Sequence, residues 1–223
     1  MAHGTREFVP ALGWRPLTPL YDGIVRLFTR ESAWRPAFVE QIKPRDGEAI
    51  LDVGCGTGSL AILLKQAAPG ARIVGLDPDK AILARAAAKA RSAGVEIEWR
   101  HGFASDVANM RGEFDKTVSS VVFHQVPPAE KEAGIAAMIA STRPGGEVHI
   151  ADFAAQRSRL MRALFRLVGL VDGRENTQAN ANGAIERILG AASSEAATPT
   201  RAFRTSLGEI SLFLLRLRTA TEP

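Results

Sequence analysis

A chain of 223 residues that is 46% hydrophobic and 23% charged can bury one full core and is too apolar for a disordered segment. Its one cysteine, Cys55, excludes an internal disulfide framework and a cysteine-rich metal centre. The net charge of +4 suits anionic partners, but no zinc-finger spacing, ribonucleoprotein aromatic signature or dense lysine run accompanies it, so no nucleic-acid partner is expected.

The first residues, up to Pro19, carry Pro10, Gly13 and Pro16 as well, too many breakers for a long helix, and read as an irregular arm. Tyr21 to Phe28 begins an apolar-periodic stretch, and Trp34 to Ile42 forms a second helix ahead of the Pro44-Arg45-Asp46-Gly47 turn. Glu48 to Val53 has the β-branched, apolar character of a buried parallel strand, and Ser59 to Ala68 the recurrence of a helix. Between them lies Gly54-Cys55-Gly56-Thr57-Gly58. Glycines there permit positive φ and let a ligand lie against bare backbone near a helix N-terminus. Cys55, inside this turn, reads as a small packing residue rather than a reactive thiol.

Strand, glycine turn and helix serve several adenosyl and phosphate ligands, and spacing narrows the choice. The glycines stand at 54, 56 and 58, whereas a dinucleotide fingerprint needs its third at 59, where this chain has Ser59. No Gly-Lys-Ser/Thr phosphate loop is present. The next strand, Ala71 to Leu76, closes on Asp77, about twenty residues beyond the glycines, where an acid can accept from ribose hydroxyls. Asp77-Pro78 also has the form of a helix N-cap and first turn, a role compatible with ribose binding.

The helix Ala81 to Ala93 ends at Gly94, and Val95 to Arg100 alternates like a strand near the sheet edge. Phe114 to Phe123 reads as a fourth strand and Pro128 to Thr142 as a helix. Arg143-Pro144-Gly145-Gly146 is a turn feeding a fifth strand, Glu147 to Phe153. Arg157 to Val171 is a helix with Arg159, Arg162 and Arg166 in one stripe: a core cover with a basic surface, or a membrane-facing segment. Asp172 to Asn180 reads as a dense polar loop bordering the substrate pocket, or as a solvated linker. Ala191 to Pro199 is a turn region, and Arg201 to Leu215 two strands in an antiparallel hairpin about Leu207-Gly208.

Leu51-Asp52-Val53-Gly54-Cys55-Gly56-Thr57-Gly58, followed in order by Asp77, Phe114-Asp115 and Arg143-Pro144-Gly145-Gly146, resembles the class I S-adenosylmethionine-dependent methyltransferases. The likeness covers roughly residues 20 to 155, and with other subclasses set aside the chain looks similar to their small-molecule and lipid-related branch around quinone biosynthesis. No Asn/Asp-Pro-Pro-Tyr/Phe motif occurs, and arsenite methylation needs more cysteines than Cys55. The resemblance implies a Rossmann-like, doubly wound, three-layer α/β/α fold. Its seven-stranded sheet would be mostly parallel with an antiparallel C-terminal hairpin. It implies one methyltransferase domain: a helical lid over 1–44, a cofactor-binding core over 45–153, and a substrate cap with closing strands over 154–223.

The same resemblance implies S-adenosylmethionine as cofactor, held by Asp52, Gly54, Cys55, Gly56, Gly58, Asp77, Pro78 and Ser119, with Tyr21 closing the lid or merely packing. At the adenine, many family members carry an acid where this chain has Phe103. Phe103 either borders the purine, leaving Ala104 and Asp106 to reach its edge, or is ordinary core. Phe123, His124 and Asp152 would face a small-molecule acceptor, either lipophilic or polar, at the strand rim. His124 is the candidate general base for a hydroxyl or acidic-carbon acceptor, or a structural loop histidine. Asp152 touches substrate or braces the loop; His101 and His149 read as structural. The alternatives are a non-catalytic binding protein of this fold and, disfavoured by Gly58 and Ser59, a nicotinamide oxidoreductase. No apolar run reaches the roughly 18–20 residues of a membrane span, and Met1 to Glu7 is no secretory leader, so a cytoplasmic protein is expected, with peripheral membrane contact left open.

Overall fold

Alternation decides which residues of the first strand face which layer. In β1 (Ala49–Val53), Ile50 enters one apolar cluster while Leu51 and Val53 enter the other, as the two-residue period of a strand buried on both faces requires. The computed structural model describes residues 29–170, 173–193 and 197–219. The expected arm, the Tyr21–Phe28 helix and the Tyr21 lid lie outside the described residues.

Along the chain, β1 is preceded by α1 (Glu31–Ile42) and followed by α2 (Ser59–Ala67), β2 (Arg72–Asp77), α3 (Lys80–Ser92) and β3 (Glu98–His101). A short 3-10 helix spans Ala104–Asn109. Next come β4 (Phe114–Ser120), a 3-10 turn at Phe123–Gln125, α4 (Pro128–Ser141) and β5 (Thr142–Phe153). The closing elements are α5 (Arg159–Val168), α6 (Arg174–Ala181), α7 (Ala184–Ala192), β6 (Arg201–Thr205) and β7 (Gly208–Arg216).

The strands form one seven-stranded sheet in the order β3-β2-β1-β4-β5-β7-β6. β1 pairs in parallel with both β2 and β4, and β7 runs antiparallel between β5 and β6. This is the Rossmann-like, mostly parallel sheet with an antiparallel hairpin that the motifs implied. The winding reverses between β1 and β4, so the crevice for a ligand opens at the carboxyl ends of those two strands. On one face Trp34, Phe38, Leu60 and Leu64 of α1 and α2, with Phe165 of α5, cover the sheet. On the other, Ile135 and Met138 of α4 and Ile185 and Leu189 of α7 do so.

Four local expectations change. The cap of α3 is Asp79, whose Oδ1 accepts from the backbone N–H groups of Ala81 and Ile82, and not Asp77, which closes β2. Arg143-Pro144-Gly145-Gly146 lies inside β5 as a bulge, because the register jumps from Phe114↔Thr142 to Lys116↔Glu147. The polar stretch expected to be a loop forms α6, its Asn and Thr side chains turned inward to satisfy backbone and side-chain groups. That pattern has no apolar period to betray it. The closing turn is Ser206-Leu207, one residue earlier than expected, with Thr205 opposite Gly208.

Trp99 sets a steric limit beside the glycine turn. A Cβ on Gly75, its partner across β2 and β3, would lie 2.5 Å from Trp99 Cζ3 and 3.1 Å from Cys55 Sγ. A Cβ on Gly58 would lie 2.5 Å from Trp99 Cη2. Real side chains do not approach so closely, so the six-membered half of the indole occupies the room that two glycines leave. Gly75→Ala should lower stability in urea unfolding by about 1–3 kcal/mol. In a Trp99→Phe background, which removes that half of the ring, the same substitution should cost clearly less.

Candidate active site

At the crevice, the end of β1 turns through Gly54 at φ 70, Gly56 at φ 53 and Gly58 at φ 75, a left-handed series that glycine alone adopts without strain. The turn is pinned to the next strand, since the N–H groups of Gly54 and Cys55 both donate to Leu76 O, at 2.8 and 3.0 Å. A Cβ on Gly54 would meet Val122 Cγ2 at 2.5 Å, whereas nothing lies within 4 Å of the position for one on Gly56. One glycine therefore lets the β4 end approach, and the other leaves bare backbone facing open space. Burial, then the charges of Asp52 and Asp77, push the Cys55 thiol far above its ordinary range, which suits a packing role.

Two carboxylates sit under this turn in different states. Asp77 Oδ2 accepts from Gly56 N–H at 3.0 Å and Oδ1 from Asp79 N–H at 2.9 Å. Two of a carboxylate's roughly four acceptor positions are thus used, leaving capacity for another donor. Burial raises the Asp77 pKa against those two hydrogen bonds. Asp52 is fully buried, and among the described residues neither of its oxygens makes a well-formed hydrogen bond. Burial pushes it up to about 7, opposed by the Arg35 charge, reinforced by Asp77 and opposed again by the Ala61 backbone N–H. An under-satisfied buried carboxylate beneath an open, Cβ-free backbone fits a ligand that brings positive charge and hydroxyls.

Across the crevice, β4 breaks at Val121, whose φ of 57 is a strained conformation for a β-branched residue. Asp152, fully buried at the end of β5, holds the broken segment. Its Oδ2 accepts from Val122 N–H at 3.0 Å and Phe123 N–H at 2.6 Å, and its Oδ1 from Phe153 N–H at 2.7 Å. His124 Nδ1 lies 2.8 Å from the same Oδ1. An ionised carboxylate only accepts, so Nδ1 carries the proton and Nε2 is the basic nitrogen of the ring. The Phe153 ring stands edge-on to His124 at 5.2 Å and meets Phe165 of α5 at 4.9 Å.

Residues 50–146 match the family model described as a methyltransferase domain. Over 168 residues the chain is 31% identical to a demethylmenaquinone methyltransferase of Thermus thermophilus, covering 70% of this chain and 76% of that protein. The chain belongs to the class I S-adenosylmethionine-dependent methyltransferases. This methyltransferase is also 35% identical over 164 residues to a ubiquinone biosynthesis O-methyltransferase of a Methylobacterium species, covering 70% of this chain but 63% of that one, less than two thirds of its length. A solved structure of magnesium protoporphyrin IX methyltransferase from Synechocystis with bound SAH superposes at a TM-score of 0.59, covering 89% of this chain and 82% of that chain, at 23% identity. That likeness shows the fold. The methyltransferase is an enzyme and its cofactor is S-adenosylmethionine, the ligand class that the open turn and its two acids suit.

Several residues expected at the site have other places. Ser119 is fully buried and its hydroxyl donates to Val53 O at 2.9 Å, so it ties β4 to β1 instead of opening on the crevice. Phe123 is fully buried within the cluster under α4, so its side chain is core and only its N–H serves the loop. Asp152 is the loop brace. Asp106 Oδ2 accepts from Phe103 N–H at 2.8 Å, and Phe103 and Ala104 are half-buried at the start of the 3-10 helix. His101 Nε2 donates to Pro78 O at 3.0 Å, holding the turn after Asp77, and His149 is buried beside Gln41 and Glu147, both structural placements.

Sequence reasoning missed Lys131, which is fully buried on α4. Its ammonium donates to Asn176 O at 3.3 Å and to Asn180 Oδ1. Asn180 Nδ2 in turn donates to Phe153 O at 2.7 Å, and Asn176 Nδ2 to Gln125 O at 2.9 Å. The signal was a lone lysine within the apolar side of an amphipathic helix, easily taken for a solvated one. Burial lowers its pKa to about 8, which the Asp152 charge opposes and Arg187 reinforces. Between about 8 and the ordinary 10.5 the unfolded chain therefore binds more protons than the folded one, and Lys131's contribution to stability rises with pH across that window. The stability of the native chain relative to Lys131→Met, from urea unfolding, should increase from pH 8 to pH 10.5.

Proposed function

We propose that this methyltransferase acts on a small lipophilic acceptor through a hydroxyl or an acidic ring carbon, with His124 taking the proton and Asp152 positioning it. The observation that carries this reading is the His124–Asp152 pair at 2.8 Å, set two residues beyond the Val122 that packs on Gly54. An amine acceptor needs no such base. A hydroxyl or carbon acid gains from one whose tautomer is fixed. His124 is only 4% exposed and is flanked by Phe153, so it serves a group lodged in the crevice, not bulk water. The relatives named for demethylmenaquinone and ubiquinone biosynthesis support a ring acceptor of this kind.

When bound, S-adenosylmethionine supplies a methyl group already labile on a sulfonium. Gly54, Cys55, Gly56 and Gly58 would present bare backbone to it, and Asp52 would meet its positive charge. Asp77 would accept from its ribose hydroxyls, Pro78 would line the turn beside that acid, and Phe103 and Ala104 would border its purine. With charge and hydroxyls matched by fixed groups, the work left to the protein is aligning the acceptor and removing its proton. The acids and the histidine then have separate duties on opposite sides of one crevice.

Asp77→Ala should weaken S-adenosylmethionine binding, measured by titration calorimetry, by about 1–3 kcal/mol, since it leaves ribose hydroxyls unpaired. Unchanged affinity in a folded variant would remove Asp77 from the site. His124→Gln should lower kcat with a hydroxylated ring acceptor by about 10²–10⁴-fold while cofactor affinity stays near that of the native chain. A kcat that does not move would leave His124 a structural residue.

A further inference from the structure

The large apolar side chains that stand exposed among the described residues are Leu160, Leu167 and Leu170, at 65, 52 and 71%, and all belong to α5 or its C-terminal end. Leu160, Leu164 and Leu167 recur at i, i+4 and i+7, which places them in one outward strip. Beside it runs a second strip, Arg159, Arg162 and Arg166 at i, i+3 and i+7. The buried side carries Met161, Phe165 and Val168. Residues 157–170 contain four arginines and no aspartate or glutamate. Arg159 and Arg166 form no ion pair with a described residue. A cavity of about 470 Å³ between α5 and α6 is lined by Arg162, Arg166 and Arg174, along with Glu175 and Thr177.

We propose that α5 is a membrane-docking helix that lays Leu160, Leu164 and Leu167 into the surface of an anionic bilayer while its arginines engage the lipid headgroups. Exposed leucine costs free energy in water and regains it at an acyl boundary, and adjacent guanidinium groups bind phosphate bidentately. The two strips are parallel and neighbouring, which is the arrangement an interface between hydrocarbon and charge demands. A second copy of the chain on the same face would bring no carboxylate from this segment to meet the arginines. Among the described residues no helix is long and apolar enough to cross a membrane, so the contact is peripheral. The docked face backs onto the site: Phe165, on the buried side of α5, touches Phe153, which touches His124. The docking does not depend on the identity of the acceptor, and its test reads binding rather than turnover.

Co-sedimentation of the full chain with vesicles decides it. Phosphatidylcholine vesicles containing about 30% phosphatidylglycerol should carry the protein down, and pure phosphatidylcholine vesicles should not. The pair Leu160→Ser and Leu167→Ser, and separately Arg159→Gln with Arg166→Gln, should each weaken that binding by at least about tenfold. Raising the salt from about 0.1 to 0.5 M should release the protein. Circular dichroism and S-adenosylmethionine affinity should be unchanged in both variants, which separates a docking defect from a folding or cofactor defect. Absence of binding to the anionic vesicles would overturn the proposal. So would binding that neither pair alters, or a dimer in light scattering that the leucine pair dissolves.

Discussion

The crevice exists because Gly54 has no side chain. A Cβ there would collide with Val122 Cγ2 at 2.5 Å, and the ends of β1 and β4 could not close on each other. That approach sets the turn that leads to His124 beside the glycine turn. It also explains why β4 stops where it does. After Ser120 the chain must leave the strand direction to cover Gly54, and Val121 takes a positive φ of 57 to do so. Strain of this kind costs of order 1–3 kcal/mol and persists only where surroundings over-determine it. Asp152 supplies that compensation through its hydrogen bonds to Phe123, Phe153 and His124, which are buried, and to Val122, which is partly so.

The three buried acids around the crevice form a graded set. Asp152 meets three backbone N–H groups and an imidazole, Asp77 two backbone N–H groups, and Asp52, among the described residues, no well-formed hydrogen bond. Where the fold needs rigidity the carboxylate is saturated; where a ligand is to be received it is left with capacity. Asp52, at about 7 instead of near 4, is destabilising to the unliganded protein once pH rises through that window, because the unfolded chain then holds fewer protons. A cationic ligand removes that penalty, so the instability is localised where binding relieves it.

The sheet, its switch point and the glycine turn were legible because they are written in local chemistry: β-branched strands, glycines at 54, 56 and 58, and an acid closing each of the first two strands. The place of Asp77 at the end of β2 was legible for the same reason, but the cap of α3 was not, since Asp77 and Asp79 both precede the helix and only the backbone path decides which one caps it. Ser119, Phe123 and Asp152 were placed by their position at strand ends. Whether a strand-end residue faces the crevice or the core depends on the Val121 break, which no propensity announces. Lys131 and α6 stayed hidden for a related reason. A buried polar network inverts the rule that polar residues face solvent, and its members are distant in sequence.

That inverted region has a mechanical consequence. α6 is too polar to pack by apolar burial, so its place is set by directional bonds: Asn176 to Gln125 O, Asn180 to Phe153 O, and Lys131 to both residues. Two of those partners, Gln125 and Phe153, are the sequence neighbours of His124 and Asp152. Hydrogen bonds fix position to a few tenths of an ångström, where leucine against leucine would allow sliding. α5, by contrast, is seated on the sheet by Met161, Phe165 and Val168, an apolar contact that ends on Phe153. The two helices thus meet at Phe153 by different physics, α6 through a hydrogen bond to its backbone oxygen and α5 through ring packing. The imidazole is held by the Asp152 carboxylate on one side and by the Phe153 ring on another. Its orientation is therefore set by the fold before anything enters the crevice.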